Sequence, residues 1–87
     1  MGYFVYIVAC SDSSLYTGIA KDVQERVKEH NSSKKGAKYT KARRPVTLCY
    51  VEEHADRSSA SKREYAIKQL SRKEKLKLIK EKQCSID

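Results

Sequence analysis

The sequence predicts a small α+β domain in which a short β-sheet is covered by helices. Two aromatic and β-branched segments lie close together near the start of the chain, and a third lies in its middle. Apolar residues recur at helical spacing between the second and third of these segments and again after the third. The resulting order is ββα-β-αα, with strands early and helices late, which is typical of a sheet packed against helices.

The first two segments predict a β-hairpin. They are Tyr3–Val8 and Leu15–Ile19, and the polar residues 11–14 between them predict the turn. If Tyr6 pairs with Gly18, or in any register in which the numbers of two paired residues add to an even sum, Tyr6 and Tyr16 share one face of the sheet. In a register with an odd sum, they lie on opposite faces. The two rings either fill the core or bring their hydroxyls to a site, and Gly18 predicts a place where a backbone or phosphate approaches closely.

The next segment predicts a helix from Asp22 to Ser33. Val23, Val27 and either His30 or Asn31 fall on one helical face, and the spacing Asp22-x-x-Glu25 predicts an N-terminal capping box.

Arg26 and His30 lie four residues apart on this helix, so their side chains project together at the edge of its apolar face. Such a pair could clamp a phosphate group. The alternative is a ridge exposed to solvent.

A strongly basic segment follows and ends at Pro45, which disfavours helix in the residue before it. We expect a loop or a short helix here. Cations around an aromatic ring that can stack predict nucleic-acid binding with a strong salt dependence, although a solvated basic loop is the alternative. The predicted nucleic-acid-binding residues are Lys34, Lys35, Lys38, Tyr39, Lys41, Arg43 and Arg44.

The remainder predicts one strand and two helices. The strand covers 46–52, and the first helix covers 56–70, with His54 in a surface loop between them. The spacing Ser71-x-x-Glu74 predicts a capping box that starts the last helix. The residues expected to face inward are Ala60, Ala66, Ile67 and Leu70 on the first helix and Leu76, Leu78 and Ile79 on the last.

Glu64 falls on the inward stripe of its own helix, four residues after Ala60 and three before Ile67. A buried carboxylate without a partner is costly, so Glu64 must meet a cation, a metal ion or the rim of the core. Two structural alternatives are a capping box at Ser61-x-x-Glu64 and an ion pair with a neighbouring Lys or Arg.

Composition limits the kinds of function. Nineteen Lys and Arg against eleven Asp and Glu leave a net charge of +8 on 87 residues, which predicts a polyanionic partner. A domain of this size has a thin core, so a deep chamber for an organic cofactor is not expected. Cys10, Cys49 and Cys84 are far apart and odd in number, which predicts reduced thiols and a cytoplasmic location. The apolar run 3–10 is too short to span a membrane.

Taken together, these residues resemble the GIY-YIG nuclease family, in particular its short stand-alone bacterial members. The resemblance extends from Tyr3 to about Ile79. It rests on Val5-Tyr6-Ile7, on Tyr16-Thr17-Gly18 ten residues after Tyr6, on Arg26 after ten more, on His30 and on Glu64. It implies one nuclease domain over residues 1–82, with a short tail at 83–87, built on a three-stranded antiparallel sheet flanked by helices.

The resemblance also implies an activity. It indicates a divalent-metal-dependent endonuclease that hydrolyses phosphodiester bonds in DNA, with RNA as the alternative, selects structure rather than sequence, and acts in DNA repair or processing. Glu64 would hold Mg²⁺ or Mn²⁺. Tyr6, assisted by Tyr16 or His30, would take a proton from water. Arg26 together with the metal ion would lower the pKa of Tyr6, and Arg26 would also stabilise charge on the phosphate.

A second interpretation keeps the fold without efficient cleavage. Ile19 stands where the repair-incision members carry a Lys, and no Asn follows Asn31, whereas many members have an Asn after the metal ligand. These departures leave open a nucleic-acid-binding module of low or no activity. The oligomeric state is also left open.

Overall fold

The computed structural model describes residues 2–32 and 43–84. The strands are β1 (Tyr3–Ala9), β2 (Leu15–Ala20) and β3 (Thr47–His54), and the helices in the described part of the chain are α1 (Val23–Ser32), α2 (Arg57–Lys68) and α3 (Arg72–Cys84). The predicted α+β class, the element order and the three-stranded antiparallel sheet are confirmed. Of the predicted tail at 83–87, residues 85–87 lie outside the described residues.

The sheet has the order β2-β1-β3, which places β1 in the centre. Residues Val5 to Val8 are all at most 1% exposed because both faces of the central strand are covered. This double burial explains why β1 is a continuous apolar run, whereas a strand buried on one face alternates. Tyr6 pairs with Gly18 and Val8 with Tyr16, so the register has an even sum and Tyr6 and Tyr16 share a face.

Each face of the sheet has its own core cluster. One face packs against α2 and α3 and contains Val5, Ile7, Tyr50, Ala60, Ile67 and Ile79. The other face packs against α1 and contains Tyr6, Val8, Cys10, Val23 and Val46. The predicted phenol pair therefore belongs to the α1 side, while Glu64 belongs to a helix that packs on the opposite side.

Several predicted boundaries shift because end residues cap helices instead of joining them. The Asp22 carboxylate accepts a hydrogen bond from the Glu25 amide at 3.0 Å, so α1 begins one residue later than predicted. Asp56 caps α2 in the same way by accepting from the Ser59 amide at 2.8 Å, and Gln69 is its C-cap.

The predicted capping box of α3 is confirmed in both directions. The Glu74 amide donates to the Ser71 hydroxyl at 3.2 Å, and the Ser71 amide donates to the Glu74 carboxylate at 2.9 Å.

Three inward predictions were wrong or incomplete. Ala66 is exposed because it lies about 120° from the stripe that Ala60 and Ile67 form at roughly 100° per residue. Leu70 is only half-buried, and Leu76 is 43% exposed, which leaves Ile79 as the buried residue of α3.

His54 was wrongly predicted to lie in a surface loop. It is the last residue of β3 and is half-buried, with one ring nitrogen 2.9 Å from Glu52 Oε1 and the other 2.7 Å from Ser59 Oγ. Arg63 Nε also donates to Glu52 Oε1 at 2.7 Å, so polar side chains tie the end of β3 to α2. The sequence missed this role because the partners come together only when α2 packs on the sheet.

Candidate active site

The centre of the site is a hydrogen bond between β1 and α1. Tyr6 Oη lies 2.7 Å from His30 Nε2, and the exposed fractions of Tyr6 and His30 are 1% and 0%. The ring of Tyr16, from β2, packs edge-on against His30 with 5.3 Å between ring centroids. The alternative of a solvated ridge on α1 is therefore excluded for His30.

Gly18 provides the space for this arrangement. A Cβ built on Gly18 would lie 2.6 Å from Tyr6 Oη and 2.8 Å from its Cζ, so the ring of Tyr6 crosses over the backbone of β2 at this residue. We had expected the space above Gly18 to admit a backbone or a phosphate. Instead, the side chain of its own pairing partner fills it, and this directs the phenol toward the β2 edge of the sheet.

Arg26 is half-buried and lies at the edge of the Tyr6–His30 pair. Its guanidinium forms an ion pair with Glu29 at 2.9 Å, three residues along α1, and its positive charge acts on the Tyr6 phenol. The Arg26-x-x-Glu29 spacing was visible in the sequence and predicts such a pair, but its use in orienting Arg26 becomes clear only in the fold.

The electrostatics make both buried groups neutral at pH 7. Burial raises the pKa of Tyr6 to about 12, although Arg26 lowers it, and the charges of Tyr16 and Glu64 add to the rise. Arg26 acts in the expected direction, but desolvation of the buried phenolate outweighs the attraction of the cation, so the net shift is upward. Burial also lowers the pKa of His30, helped by the positive charges of Arg26 and Arg44. Tyr6 Oη and Nε2 of His30 thus share a hydrogen bond between two neutral groups.

Glu64 approaches this site from α2. Its carboxylate acts on the pKa of Tyr6, so it lies within electrostatic reach of the phenol, and it forms an ion pair with Lys68 at 3.2 Å. The side chain is 23% exposed, which places it at the rim of the core. Of the two structural alternatives, the ion pair with a neighbouring Lys is found, whereas Ser61 lies inside α2 and does not begin it.

Only part of the predicted nucleic-acid-binding set can be located. Lys34, Lys35, Lys38, Tyr39 and Lys41 lie outside the described residues. Arg43 pairs with Asp12 at 3.1 Å, and Arg44 donates to the backbone carbonyls of Glu29 and His30 at the end of α1. Arg44 thus supports the helix that carries His30, a role that the sequence pattern did not indicate.

Comparison with known proteins places this geometry in a family. The model of the GIY-YIG catalytic domain matches residues 2–77. The chain belongs to the GIY-YIG family. Membership makes this a nuclease-type domain whose substrate class is nucleic acid, and GIY-YIG nucleases generally use divalent metal ions.

Similar proteins are short UPF0213 members of bacteria. A UPF0213 protein of Desulfotalea psychrophila is 62% identical over 78 residues, which cover 90% of this chain and 71% of that protein. A UPF0213 protein of Staphylococcus aureus is 61% identical over 80 residues, with 92% and 96% coverage. The resemblance to stand-alone GIY-YIG members is thereby confirmed.

Two solution NMR structures share the GIY-YIG fold of this chain. The UPF0213 protein of Bacillus halodurans has a TM-score of 0.59 at 42% identity and matches 92% of this chain and 84% of its own. A protein of E. faecalis has a TM-score of 0.62 at 31% identity and matches 100% of this chain and 90% of its own. In the described part of this chain, no helix is both long and apolar enough to cross a membrane.

Proposed function

We propose that this protein is a divalent-metal-dependent endonuclease that hydrolyses phosphodiester bonds in DNA and acts in DNA repair or processing. The observation that carries the proposal is the convergence of Tyr6, Tyr16, Arg26 and His30 over β2, with Glu64 within electrostatic reach of Tyr6. Contacts with phosphates carry no sequence information, so a site of this kind favours selection by DNA structure.

Glu64 is the residue proposed to hold the metal ion. Among the described residues, no three His, Cys, Asp or Glu side chains group closely enough to hold a metal ion together. One carboxylate still fits Mg²⁺ or Mn²⁺, because substrate phosphates and waters usually complete the coordination of Mg²⁺. The Glu64 carboxylate is accessible and already attracts a cation, Lys68. A bound metal ion would neutralise charge that develops on the phosphate.

The other site residues supply charge and proton transfer. Arg26 is half-exposed and would stabilise the additional negative charge on the phosphate during attack. Tyr6 alone is a poor base at a pKa of about 12. Its hydrogen bond to His30 offers a relay, in which Tyr6 Oη takes a proton from water while its own proton moves transiently to Nε2 of His30. The lowered pKa of His30 favours return of that proton after the step. Tyr16, packed on His30, would hold the imidazole in place for this transfer.

The proposal is tested by a nicking assay on single-stranded, duplex and branched DNA with Mg²⁺ or Mn²⁺. We expect Glu64→Gln to reduce the rate about a hundredfold or more, and Tyr6→Phe to reduce it by a similar factor. Glu81→Gln is the matched control, because Glu81 is an exposed acid on α3. If the wild-type protein cleaves no faster than Glu64→Gln, the enzymatic proposal is overturned.

The ion pair between Lys68 and Glu64 favours a second candidate, a binding module of low or no activity, because Lys68 competes for the carboxylate that a metal ion needs. In that case the wild-type protein binds DNA in EDTA with a steep salt dependence but cleaves no faster with Mg²⁺ than without it. Metal-dependent cleavage by the wild-type protein would exclude this candidate.

A further inference from the structure

A pocket of about 390 Å³ lies at one end of the sheet, next to the candidate active site but outside it. It is lined by Gly2, Tyr3, Phe4, Lys21 and Glu53. Phe4 pairs with Ala20 of β2 and with Glu53 of β3, so all three strands bring residues to this end of the sheet. The volume falls within the usual range of small-ligand sites.

The pocket lies on the same strand and partly on the same face as the active site. Phe4 precedes Tyr6 by two residues on β1, and its side chain packs against the same core cluster. Two residues of a strand span about 7 Å, which is comparable to one nucleotide of an extended chain. A single strand of nucleic acid whose phosphate lies at Arg26 and Tyr6 can therefore place its neighbouring nucleotide over Phe4.

The lining residues provide three kinds of contact. Tyr3 and Phe4 supply aromatic surface, and both are only half-buried. Lys21 Nζ lies 5.3 Å from the centroid of the Tyr3 ring, which places a cation at the pocket wall. Glu53 adds an exposed carboxylate on the side of Phe4. The backbone of Gly2 passes directly beside Glu53 and the carbonyl of His54, where a side chain would collide.

We propose that this pocket binds one unpaired nucleobase that carries an exocyclic amino group. The base stacks on Phe4, its phosphate meets Lys21, and its amino group donates to the Glu53 carboxylate. A base within a duplex has both faces covered, so only a single-stranded or flipped nucleotide can enter. This inference rests on the proposed function and specifies its substrate as nucleic acid with unpaired nucleotides next to the scissile bond.

The test uses NMR titration of the isotope-labelled protein in EDTA, where no cleavage occurs. The probes are dGMP, dTMP and deoxyribose 5-phosphate. We expect dGMP to shift the amide signals of the pocket residues, dTMP to bind about fivefold more weakly, and the sugar phosphate to leave these signals unchanged. Equal shifts with all three probes would show that the pocket binds only the phosphate group, at Lys21. Shifts of signals outside the pocket alone would show that the pocket does not bind these probes. Either result overturns the proposal.

Variants separate stacking from amino-group recognition. Phe4→Leu keeps apolar volume without a flat ring and should weaken dGMP binding about fivefold or more, since stacking is worth about 1–3 kcal/mol per base. Glu53→Ala removes the acceptor and should reduce the preference for dGMP over dTMP. Tyr65→Phe is the matched aromatic control, because Tyr65 is 68% exposed on α2 and lies outside the pocket lining. The spectrum of each variant reports its folding, and unchanged dGMP affinity in Phe4→Leu contradicts the proposal.

The two proposals can fail separately. Base-dependent shifts at the pocket together with absent cleavage would remove the nuclease proposal and keep the pocket. Metal-dependent cleavage without any shift of the pocket signals would keep the nuclease proposal and overturn the pocket proposal.

Discussion

His30 is the residue on which the site depends most, and its side chain is fully buried. It is 0% exposed, shares a hydrogen bond with Tyr6 and lies near the cations of Arg26 and Arg44. A second proton on this ring would be buried among positive charges and would compete with the Tyr6 hydroxyl for Nε2. The resting site therefore holds a neutral His30, and protonation of this ring from solvent disfavours the folded arrangement.

This burial predicts a pH dependence of stability. Burial lowers the pKa of His30 below its usual 6.5. As the pH falls below 6.5, His30 is therefore protonated in the unfolded chain while it is still neutral in the folded chain. The His30 contribution to stability is complete above pH 6.5 and is lost as the pH falls from there through the folded pKa. We expect the free energy of unfolding to fall between pH 6.5 and 5, by no more than about 1.4 kcal/mol per pH unit from this group, and the melting temperature to fall with it.

His30→Gln should remove this part of the pH dependence, while His54→Gln, the variant of the other histidine, should retain it. Thermal unfolding monitored by circular dichroism measures both. An identical slope in wild type and His30→Gln would show that His30 is not the titrating group.

At the scale of elements, the position of α1 decides whether His30 reaches Tyr6. The end of this helix is tied to the start of β3 by the amide of Asn31, which donates to the Val46 carbonyl at 3.1 Å and accepts from the Val46 amide at 2.6 Å. Arg44 adds hydrogen bonds to the last carbonyls of the helix, which would otherwise lack partners inside it. Residues on both sides of the basic segment thus hold α1 on the sheet.

Asn31→Ala should destabilise the protein by about 1–3 kcal/mol, because it leaves two backbone groups of the buried residue Val46 without partners. The matched control is Ser32→Ala. Ser32 makes one exposed bond within α1, to the Lys28 carbonyl at 2.8 Å, and its loss should change stability by less than about 0.5 kcal/mol. Urea unfolding measures both free energies. Equal values for the two variants would contradict the role assigned to Asn31.

At the scale of the whole molecule, the net charge of +8 divides between regions with different expected uses. The basic segment near Tyr39 is predicted to contact phosphates, whereas the lysines of α3 are mostly exposed along a helix whose buried residue is Ile79. The two groups carry similar charge, so a comparison between them separates specific contact from general attraction.

We expect affinity for single-stranded DNA to fall steeply with salt, at a slope of about 0.7 in logarithmic units per phosphate contacted. Neutralising four lysines of the basic segment should lower affinity about tenfold at 0.1 M salt and flatten the slope. The test set is Lys34, Lys35, Lys38 and Lys41, each changed to Gln. The control set is Lys73, Lys75, Lys77 and Lys80, changed in the same way. Fluorescence anisotropy in EDTA measures binding, and equal losses in both sets would assign the effect to net charge alone.

Much of the architecture could be read from local pattern. The continuous apolar run of β1, the capping residues Asp22 and Asp56, and the Ser71–Glu74 box determine element type and order, because each depends on neighbours a few residues away. The five site positions could be named from their spacing. Their contacts could not, and the raised pKa of Tyr6 shows why: desolvation depends on everything packed around a group.

The sequence by itself thus determined the fold class, the family and the candidate residues of this protein. The tertiary structure decided that Gly18 accommodates the ring of Tyr6 and that Tyr6 hydrogen-bonds His30, 24 residues further along the chain. It also decided that Lys68 forms an ion pair with Glu64. It also decided that a pocket lies beside the site at the end of the sheet. The physical reason is that burial and contacts between residues distant in sequence arise only when the sheet and the helices pack. The apolar periodicity of a helix or strand, in contrast, depends only on residues that are neighbours in sequence.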